Sequence, residues 1–328
     1  MIWQKNARRI SKIIVSRTDS IGDVVLTLPL CLWLKSSFPQ ATLVYLCKRY
    51  TKDVVQCFNP VDEILLLEDL EKSDHNTRIS LLQSDLILHV FPNKMVASWA
   101  KQAGITYRIG TSHRWFHWLN CNIRVSFTRK NSSLHEAQLN FNLLKPLGLS
   151  TIPSLAEINL LSEGFRVPKT ILPFNPGYVI LHPLSQGSAL DYPLNKYVAL
   201  AEMLSKRGKQ VLITGTVKEG NQIGTAFDHI PGVENVCGQF SLGGLISLIS
   251  KAHALIACST GPLHIAGILD IKAIGLFSSR IPIHPGRWKP LGNHSIAMVN
   301  DPYCNQCARG EDCRCITEIP VADIVDAI

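Results

Sequence analysis

Residues 17–29 read RTDSIGDVVLTLP, and they follow the apolar run IIV at residues 13–15. The run predicts a buried first strand, because β-branched residues suit a strand that is covered on both faces. Gly22 would then allow the tight turn of a strand-to-helix loop, with Asp23 at the start of the next helix. In an open α/β sheet, ligands bind at the carboxyl ends of the strands, so this loop is the first place to look for a site.

Asp23 has two interpretations at this position. A carboxylate beside a ligand-binding loop can accept a proton from a substrate hydroxyl, which would make Asp23 a catalytic base. An Asp near the first turn of a helix also caps it and favours the positive end of the helix dipole. The residues alone leave both interpretations open.

The rest of the chain alternates strand-like and helix-like segments. In the first half, the pattern predicts strands at residues 13–15, 41–46, 63–67, 85–89 and 108–110 and helices at 24–36 and 95–102. In the second half, it predicts strands at 178–181, 210–214, 254–257 and 273–277 and helices at 194–207, 242–251 and 262–269. This βαβ rhythm is typical of parallel sheets. The proline-rich residues 167–177 predict a linker between a domain at 1–166 and a domain at 178–328.

The composition fits two globular domains. The chain has 328 residues, of which 46% are hydrophobic and 18% charged. This hydrophobic and charged content excludes a disordered protein. The length is more than one small hydrophobic core requires and suits two domains. No apolar run has the length of a membrane span, and no signal-type apolar core with a cleavage site is present. We therefore expect a cytoplasmic protein.

The net charge of +8 lies in the first half of the chain. Residues 1–150 hold 19 Lys and Arg against 11 Asp and Glu, whereas residues 151–328 hold 14 of each group. A basic half fits an anionic partner such as a phosphorylated lipid, a membrane surface or nucleic acid, although ordinary solubility charge would explain it as well. We expect no nucleic acid, because no RNA-module signature is present.

Residues 113–119 of this basic half read HRWFHWL and interleave basic and aromatic side chains. Such a segment suits a membrane surface, where aromatic rings lie at headgroup depth. Stacking on nucleobases and a core helix end with two Trp residues are the alternatives.

A second candidate loop, STGPLHIA at residues 259–266, follows the predicted strand 254–257. Pro262 suits a first helical position. Thr260 and Gly261 would then lie at a helix N-terminus, whose free N–H groups and dipole can hold phosphate. A simple capped turn is the alternative.

Four of the ten cysteines are clustered, at Cys304, Cys307, Cys313 and Cys315. Four thiolates within twelve residues can enclose a tetrahedral Zn or a single Fe. The second pair is separated by one residue, which departs from the usual finger spacing, and four reduced free thiols are the alternative. A metal bound by four protein ligands would be structural, since no coordination position stays open.

The loop with Gly22 and Asp23, followed by Thr27 and Pro29, resembles the opening of glycosyltransferase family 9, which contains the lipopolysaccharide heptosyltransferases that use ADP-heptose. The likeness extends from residue 13 to about residue 324. It implies a GT-B fold, in which two Rossmann-like parallel-sheet domains face a cleft. The N-terminal domain would bind the acceptor and the C-terminal domain the nucleotide sugar.

The resemblance also implies a role for each matching residue. Asp23 would be the general base of an inverting transfer that needs no catalytic metal. The implied acceptor-binding residues are Arg17, Ser20, Gly22 and His135. The implied donor-binding residues are Ser185, Gly187, Glu219, Phe240, Ser259, Thr260, Gly261, Pro262 and His264.

Some of these positions have structural alternatives that the sequence leaves open. Glu219 would otherwise be a solvated residue at a helix start, and His135 a structural histidine. Phe240 precedes Ser241, which suits a plain N-cap. Two positions depart from the family pattern, because Leu190 stands where relatives carry a Lys that faces the donor diphosphate, and Ser259 stands where they carry an acid.

The sequence thus predicts transfer of a heptose or a similar sugar to an acidic glycolipid of the lipopolysaccharide inner core, with ADP-heptose as the expected donor. The acceptor would bring the protein to the inner-membrane surface as a peripheral protein. Leu190 and Ser259 favour two alternatives: a different nucleotide sugar, or a catalytically silent homologue that acts in binding or regulation.

Overall fold

The computed structural model describes residues 10–129, 132–187, 189–311 and 313–328. The chain divides into two compact units, Met1–Arg166 and Val167–Ile328. Residues 1–9 of the predicted first domain lie outside the described part. Residues 166–178 contain neither helix nor strand.

The N-terminal unit contains a six-stranded parallel sheet with the order β3-β2-β1-β4-β5-β6. The strands are β1 (Lys12–Ser16), β2 (Thr42–Cys47), β3 (Glu63–Leu66), β4 (Leu86–His89), β5 (Tyr107–Thr111) and β6 (Ile123–Val125). The α-helices are α1 (Ile21–Val25), α2 (Leu28–Ser37), α3 (Lys52–Gln56), α4 (Leu67–Lys72), α5 (His75–Leu81), α6 (Lys94–Gln102), α7 (Trp115–Asn120), α8 (Glu136–Phe141) and α9 (Leu155–Leu160). Short 3-10 helices span Arg49–Thr51 and Asn142–Leu147.

The C-terminal unit repeats this plan with the strand order β12-β11-β10-β7-β8-β9, again parallel. Its strands are β7 (Val179–His182), β8 (Val211–Ile213), β9 (Val233–Asn235), β10 (Ala254–Cys258), β11 (Lys272–Leu276) and β12 (Ser295–Met298). Its α-helices are α10 (Leu194–Lys206), α11 (Val217–Ile223), α12 (Leu242–Ile249), α13 (Gly261–Ile268), α14 (Pro285–Trp288), α15 (Asn305–Arg309) and α16 (Val321–Asp326).

The buried central strands explain why the main elements follow from the sequence. Ile14 of β1 is fully buried and pairs with Val44 on one side and Ile87 on the other. A strand that is covered by helices on both faces must be apolar on both faces, and this produces the continuous runs that predicted it. The predicted strands and helices of both halves are confirmed to within a few residues, apart from the corrections that follow.

The helix predicted at residues 24–36 is wrong as one element. The structure has two helices, Ile21–Val25 and Leu28–Ser37, with Thr27 as the N-cap of the second. Pro29 lies in the first turn of that second helix, where its missing N–H costs nothing; inside a continuous helix it would clash with the carbonyl four residues earlier.

The role predicted for Gly22 is also wrong. Gly22 lies inside the helix Ile21–Val25, is buried, and is not among the residues with a positive φ. The turn after β1 is made by residues 17–20 instead. Gly22 therefore does not supply a special backbone conformation.

Three strands were not predicted, namely Ile123–Val125, Val233–Asn235 and Ser295–Met298. All three lie at sheet edges. An edge strand is less covered than a central one, so its sequence is short and mixed and lacks the apolar run that marks β1.

Candidate active site

Asp23 lies in the first turn of α1, just beyond the carboxyl end of β1. Its carboxylate pairs with the Arg17 guanidinium and accepts a 2.5 Å hydrogen bond from the Ser20 hydroxyl. Ser20 is the N-cap residue of the helix, and its side chain makes no cap hydrogen bond. Within the described residues, both partners of the Asp23 carboxylate are side chains, so Asp23 makes no capping hydrogen bond, although its place in the first turn suits the helix dipole. The side chain is 16% exposed and thus accessible to a ligand.

Arg17 is a buried cation that organises this end of the sheet. Its Nε donates to Asp19 Oδ1 over 2.7 Å, and its Nη1 donates to Asn140 Oδ1 over 3.2 Å. Glu136 Oε1 lies 3.5 Å from both Nη atoms. Burial works against the charged guanidinium, but the charges of Asp23, Asp19 and Glu136 outweigh it and raise the pKa of Arg17 above its usual value.

Asp19, which the sequence reasoning missed, forms a carboxylate pair with Asp23 on the same guanidinium. Burial and the charge of Asp23 raise the pKa of Asp19 to about 6, against the opposing effect of Arg17. Two carboxylates that share one guanidinium ionise less readily together than either would alone. The Tyr50 hydroxyl fixes the turn by donating to the Asp19 carbonyl oxygen over 2.7 Å.

His135 is the N-cap of α8. Its neighbour Glu136, rather than His135, contacts Arg17. The His135 ring is buried, and its Nδ1 accepts from the Ala137 N–H over 3.2 Å as part of a capping box. Glu136 is also buried and accepts from Arg129 Nε over 3.0 Å. The structural role weighed for His135 is thus present, while Glu136 and Arg129 are site residues that no local sequence signal indicated.

The predicted donor residues of the C-terminal unit follow neighbouring strands. Ser185 and Gly187 follow β7, Glu219 follows β8, and Thr260 and Gly261 follow β10. β7 pairs with both β8 and β10. Because the strands are parallel, these loops lie at the same edge of the sheet, where ligands of open α/β sheets bind.

Thr260 is the N-cap of α13, as its position predicted. Its buried hydroxyl makes no cap bond and has no hydrogen-bond partner in the described part of the chain. A buried hydroxyl without a partner is costly, and it lies here beside the open N–H groups of a helix start. Pro262 is in the first turn, His264 is buried one turn on, and Ser259 is half-buried.

The turn after β7 is held by its own backbone and side chains. Gln186 and Gly187 both have a left-handed φ, of 51° and 81°. The Ser185 hydroxyl is buried and donates to the Ala189 carbonyl oxygen over 3.1 Å. Leu190, at the position of the family Lys, is packed against the hydrophobic core and brings no charge to this edge.

Glu219 forms a capping box at the start of α11 and is buried rather than solvated. Its Oε2 accepts two hydrogen bonds, from the Thr216 N–H over 2.7 Å and from the Thr216 hydroxyl over 2.8 Å. Nearby, His182 Nδ1 lies 3.0 Å from Thr214 Oγ1. Burial lowers the pKa of His182 to about 4, against the opposing charge of Glu219.

Phe240 is half-buried directly before α12. The cap alternative for Ser241 is confirmed, since its hydroxyl accepts from the Gly244 N–H over 3.2 Å. Aromatic and cationic side chains also lie near His264. The ring centres of His264 and Trp288 are 6.4 Å apart, and the Arg287 guanidinium lies 4.9 Å from the Trp288 ring centre.

The basic, aromatic segment forms α7 in the N-terminal unit. Trp115, Trp118 and Leu119 are exposed, whereas His117 is buried. Lys94 lies over the Trp115 ring and Arg124 over the Trp118 ring. No helix within the described ranges is long and apolar enough to cross a membrane.

Comparison with known proteins agrees with this fold. The sequence model of glycosyltransferase family 9 (heptosyltransferase) matches residues 79–315. Lipopolysaccharide heptosyltransferase 3 of Escherichia coli is 24% identical over 332 residues, which cover 94% of this chain and 95% of that protein.

Solved structures show the same fold at lower sequence identity. The glycosyl transferase family 9 structure from Veillonella parvula has a TM-score of 0.79 and 18% identity, with 97% of this chain and 96% of that chain covered. The E. coli heptosyltransferase WaaC with ADP has a TM-score of 0.74 and 14% identity, with 96% and 98% covered. The predicted GT-B fold class is confirmed.

Two parallel six-stranded sheets are the architecture that this chain shares with these glycosyltransferase structures. The chain belongs to glycosyltransferase family 9, the heptosyltransferase family, and is a glycosyltransferase.

Proposed function

We propose that the protein transfers a heptose from ADP-heptose to a hydroxyl of an acidic lipopolysaccharide-core glycolipid, with inversion at the anomeric carbon and with Asp23 as the general base. The observation that carries this proposal is the Asp23 carboxylate itself, which is partly exposed at the carboxyl edge of the first sheet and bonded to the side chains of Arg17 and Ser20. Arg17 and Ser20 fix its orientation, as a base that must meet one particular hydroxyl requires.

The transfer is a single displacement. The acceptor oxygen forms a bond to the anomeric carbon while the bond from that carbon to the phosphate oxygen breaks, and ADP leaves with the electron pair. The acceptor proton goes to Asp23. Attack from the face opposite the leaving group inverts the configuration, so no covalent sugar–enzyme intermediate forms.

The leaving diphosphate needs positive charge, which we assign to the second unit. The N-terminus of α13 offers hydrogen-bond donors and a favourable dipole, and the Thr260 hydroxyl beside it has no partner among the residues that the structure describes. Arg280 and Arg287, in the segment after β11, add cationic groups that can bind phosphate oxygens bidentately. The two arginines would replace the positive charge that Leu190 does not supply. Together with the helix N-terminus they would act in place of a divalent cation.

The remaining donor contacts follow from the same edge of the sheet. Glu219 uses Oε2 for its capping box, so Oε1 can accept from ribose hydroxyls. Phe240 can provide a wall for the base. The structure of the relative WaaC was solved with ADP, which supports adenine as the nucleotide base.

The acceptor side of the proposal depends on the basic N-terminal half. Its excess of eight positive charges would attract the phosphates of a core glycolipid. The exposed face of α7 would lie at the headgroup level of the membrane that carries this lipid, because Trp rings favour that depth and basic groups flank them.

The test is a transfer assay with ADP-heptose and a heptose-deficient core lipid, in which ADP release and lipid mass are measured. We expect a mass gain of one heptose without any added divalent cation, and a loss of kcat of at least about 10²-fold in Asp23→Asn with calorimetric ADP affinity unchanged. Asp228→Asn, at an exposed position, is the matched control and should keep full activity. Full activity in Asp23→Asn would refute the assignment of the base.

A second candidate function rests on Leu190 and Ser259. Because Leu190 packs against the core where the family pattern has a lysine, the second candidate is a protein that binds a core glycolipid without transferring sugar. Failure to bind ADP, UDP, GDP or CMP in calorimetry, together with retained glycolipid binding, would favour it.

A further inference from the structure

Four cysteine thiols of the C-terminal unit converge on one point. The Sγ atoms of Cys304, Cys307, Cys313 and Cys315 all lie within 4.8 Å of one another. Cys307 and Cys315 are buried, and the other two are half-buried. Nothing in the proposed transfer uses these thiols, so the cluster requires its own explanation.

Disulfide bonding does not describe the cluster. All four cysteines are free, and the Sγ atoms of Cys307 and Cys313 are 2.8 Å apart, whereas a disulfide has an S–S distance of about 2.05 Å. Two of the four are half-buried at the surface of the unit, so the group does not simply fill the core as isolated buried cysteines do.

We propose that the four thiolates bind one thiophilic divalent metal ion, zinc or ferrous iron, in a structural site. A tetrahedral ion with bonds of about 2.3 Å places its sulfur ligands about 3.8 Å from each other. The observed separations lie on both sides of this value, because Cys307 and Cys313 are 2.8 Å apart and the four Sγ atoms all lie within 4.8 Å of one another. Soft thiolate ligands in a tetrahedral set select these metals. Four protein ligands leave no position for a substrate, so the ion stabilises structure.

The local backbone builds the site in two turns. Cys304 is the N-cap of the five-residue helix Asn305–Arg309, and its Sγ accepts from the Cys307 N–H over 3.5 Å. A hydrogen bond from the backbone to a ligand sulfur fixes the ligand and stabilises its thiolate form. Gly310 ends the helix with a φ of 73° and turns the chain back, which brings Cys313 and Cys315 to the first pair.

A metal ion can reach this site from the surface. A cavity of about 500 Å³ is lined by Cys304, Cys313 and Cys315 together with Asp301 and Glu318. The carboxylates would attract a cation to the opening, and the thiolates would then take it.

The site lies where the fold otherwise has little to hold the chain. Cys315 is followed by Ile316 and Ile319, which belong to the hydrophobic core of the unit. The described residues between β12 and Ile316 contribute no other member to the buried core except the two buried ligands. A metal ion would supply the order that apolar burial does not, as it does in small metal-bound domains.

The experiment measures metal content in the full-length protein, expressed with zinc and iron in the medium and purified under reducing conditions without chelators. Elemental analysis should give about one zinc or iron per chain, without acid-labile sulfide. The variant Cys304→Ser, at a half-buried ligand, should lose most of this metal, whereas Cys237→Ser, half-buried outside the cluster, should retain it. Removing the metal from the wild-type protein should lower its melting temperature by about 5 °C or more, which needs no variant to fold.

The outcomes separate clearly. Zinc or iron at one equivalent, lost in Cys304→Ser and kept in Cys237→Ser, supports the site, and the element found identifies the ion. Less than about 0.2 equivalents after reconstitution with either metal overturns it, as do a disulfide among the four cysteines in the reduced preparation, acid-labile sulfide, or metal that both variants retain. These readouts do not use sugar transfer, so the site stands or falls separately from the proposed function.

Discussion

The Arg280 guanidinium donates a hydrogen bond from Nη2 to the carbonyl oxygen of Gly310 over 2.9 Å. This contact joins the loop after β11, at the carboxyl edge of the second sheet, to the turn that brings the two cysteine pairs together. A second bond joins the same two segments, from the Ser279 hydroxyl to the Asp301 carbonyl oxygen. The turn at Gly310, between the two cysteine pairs, therefore holds the Arg280 side chain.

We expect Arg280→Gln to raise the KM for the nucleotide-sugar donor about tenfold, because a charged hydrogen-bond donor to the diphosphate is lost. The KM for the acceptor should not change. Steady-state kinetics with each substrate varied in turn measures both constants. Arg207→Gln, which breaks an exposed ion pair with Asp326 in the same unit, is the control and should leave both unchanged.

Metal removal should produce the same selective rise in donor KM, because Gly310 would no longer hold the Arg280 side chain. If removal of the metal weakens donor and acceptor binding equally, Arg280 is not positioned by the turn. If Arg280→Gln binds the donor as the wild type does, the diphosphate is held elsewhere.

Arg17 should not tolerate replacement by Lys. Its planar guanidinium contacts Asp19, Asp23 and Asn140 through three different nitrogens, and an ammonium group cannot span these partners. We expect Arg17→Lys to lower kcat at least about 100-fold, since Asp23 loses its orientation, and to destabilise the fold by about 3 kcal/mol, since the buried Glu136 loses a charge partner.

Urea unfolding and the transfer assay measure the two effects of Arg17→Lys. The comparison variant is Arg49→Lys, whose ion pair with Asp69 is exposed on both sides and should change stability by less than about 0.5 kcal/mol. Wild-type kcat in Arg17→Lys would mean that the guanidinium network does not position the base.

Asp23 and Glu136 show where sequence reasoning succeeds and where it stops. The position of Asp23 at a helix start beyond β1 was predicted correctly, because a buried apolar run, a loop and a helix start are local signals that can be read along the chain. Its role as a base came from the family resemblance and stays a prediction. Glu136 reaches Arg17 across 119 residues of sequence, and no local pattern encodes that contact. The role of Arg129 as a second charge partner of Glu136 is likewise visible only in the folded structure.

The same distinction explains the elements. The break at Pro29 follows from the chemistry of one residue, yet the apolar run around it hid the boundary between two helices. The edge strand Val233–Asn235 has no apolar run, so tertiary pairing with β8 decides its conformation. The cysteine cluster was visible in advance, because ligand spacing is a local feature.

The α7 surface should bind anionic membranes. The variant Trp115→Ala/Leu119→Ser removes two exposed apolar side chains, which are 64% and 61% exposed, and should weaken cosedimentation with vesicles of phosphatidylglycerol and phosphatidylethanolamine at least about tenfold. Binding should also weaken at high salt, because basic groups contribute. Ile171→Ser, which changes a 99% exposed apolar residue of the other unit, should bind like the wild type. Equal binding by all three proteins would remove α7 from the membrane contact.

His89 should make the fold sensitive to acid. It is buried at the end of β4, both of its ring nitrogens lack a hydrogen-bond partner in the described part of the chain, and its ring lies 5.5 Å from that of His117. Burial, with a smaller contribution from His117, lowers the pKa of His89 from 6.5 to about 3. Below pH 6.5 the unfolded chain therefore binds a proton that the folded chain does not, and stability falls as the pH falls toward 3.

Between pH 7 and pH 5 this one group should cost about 2 kcal/mol of unfolding free energy. His89→Phe keeps a buried ring without the titrating nitrogens, so its unfolding free energy should fall by about 2 kcal/mol less than that of the wild type over this interval. Urea unfolding at the two pH values measures the difference. His75→Gln, at an exposed position of α5, should fall as the wild type does. An unchanged pH dependence in His89→Phe would mean that His89 is protonated without unfolding, and that the buried ring gains access to water in the native state.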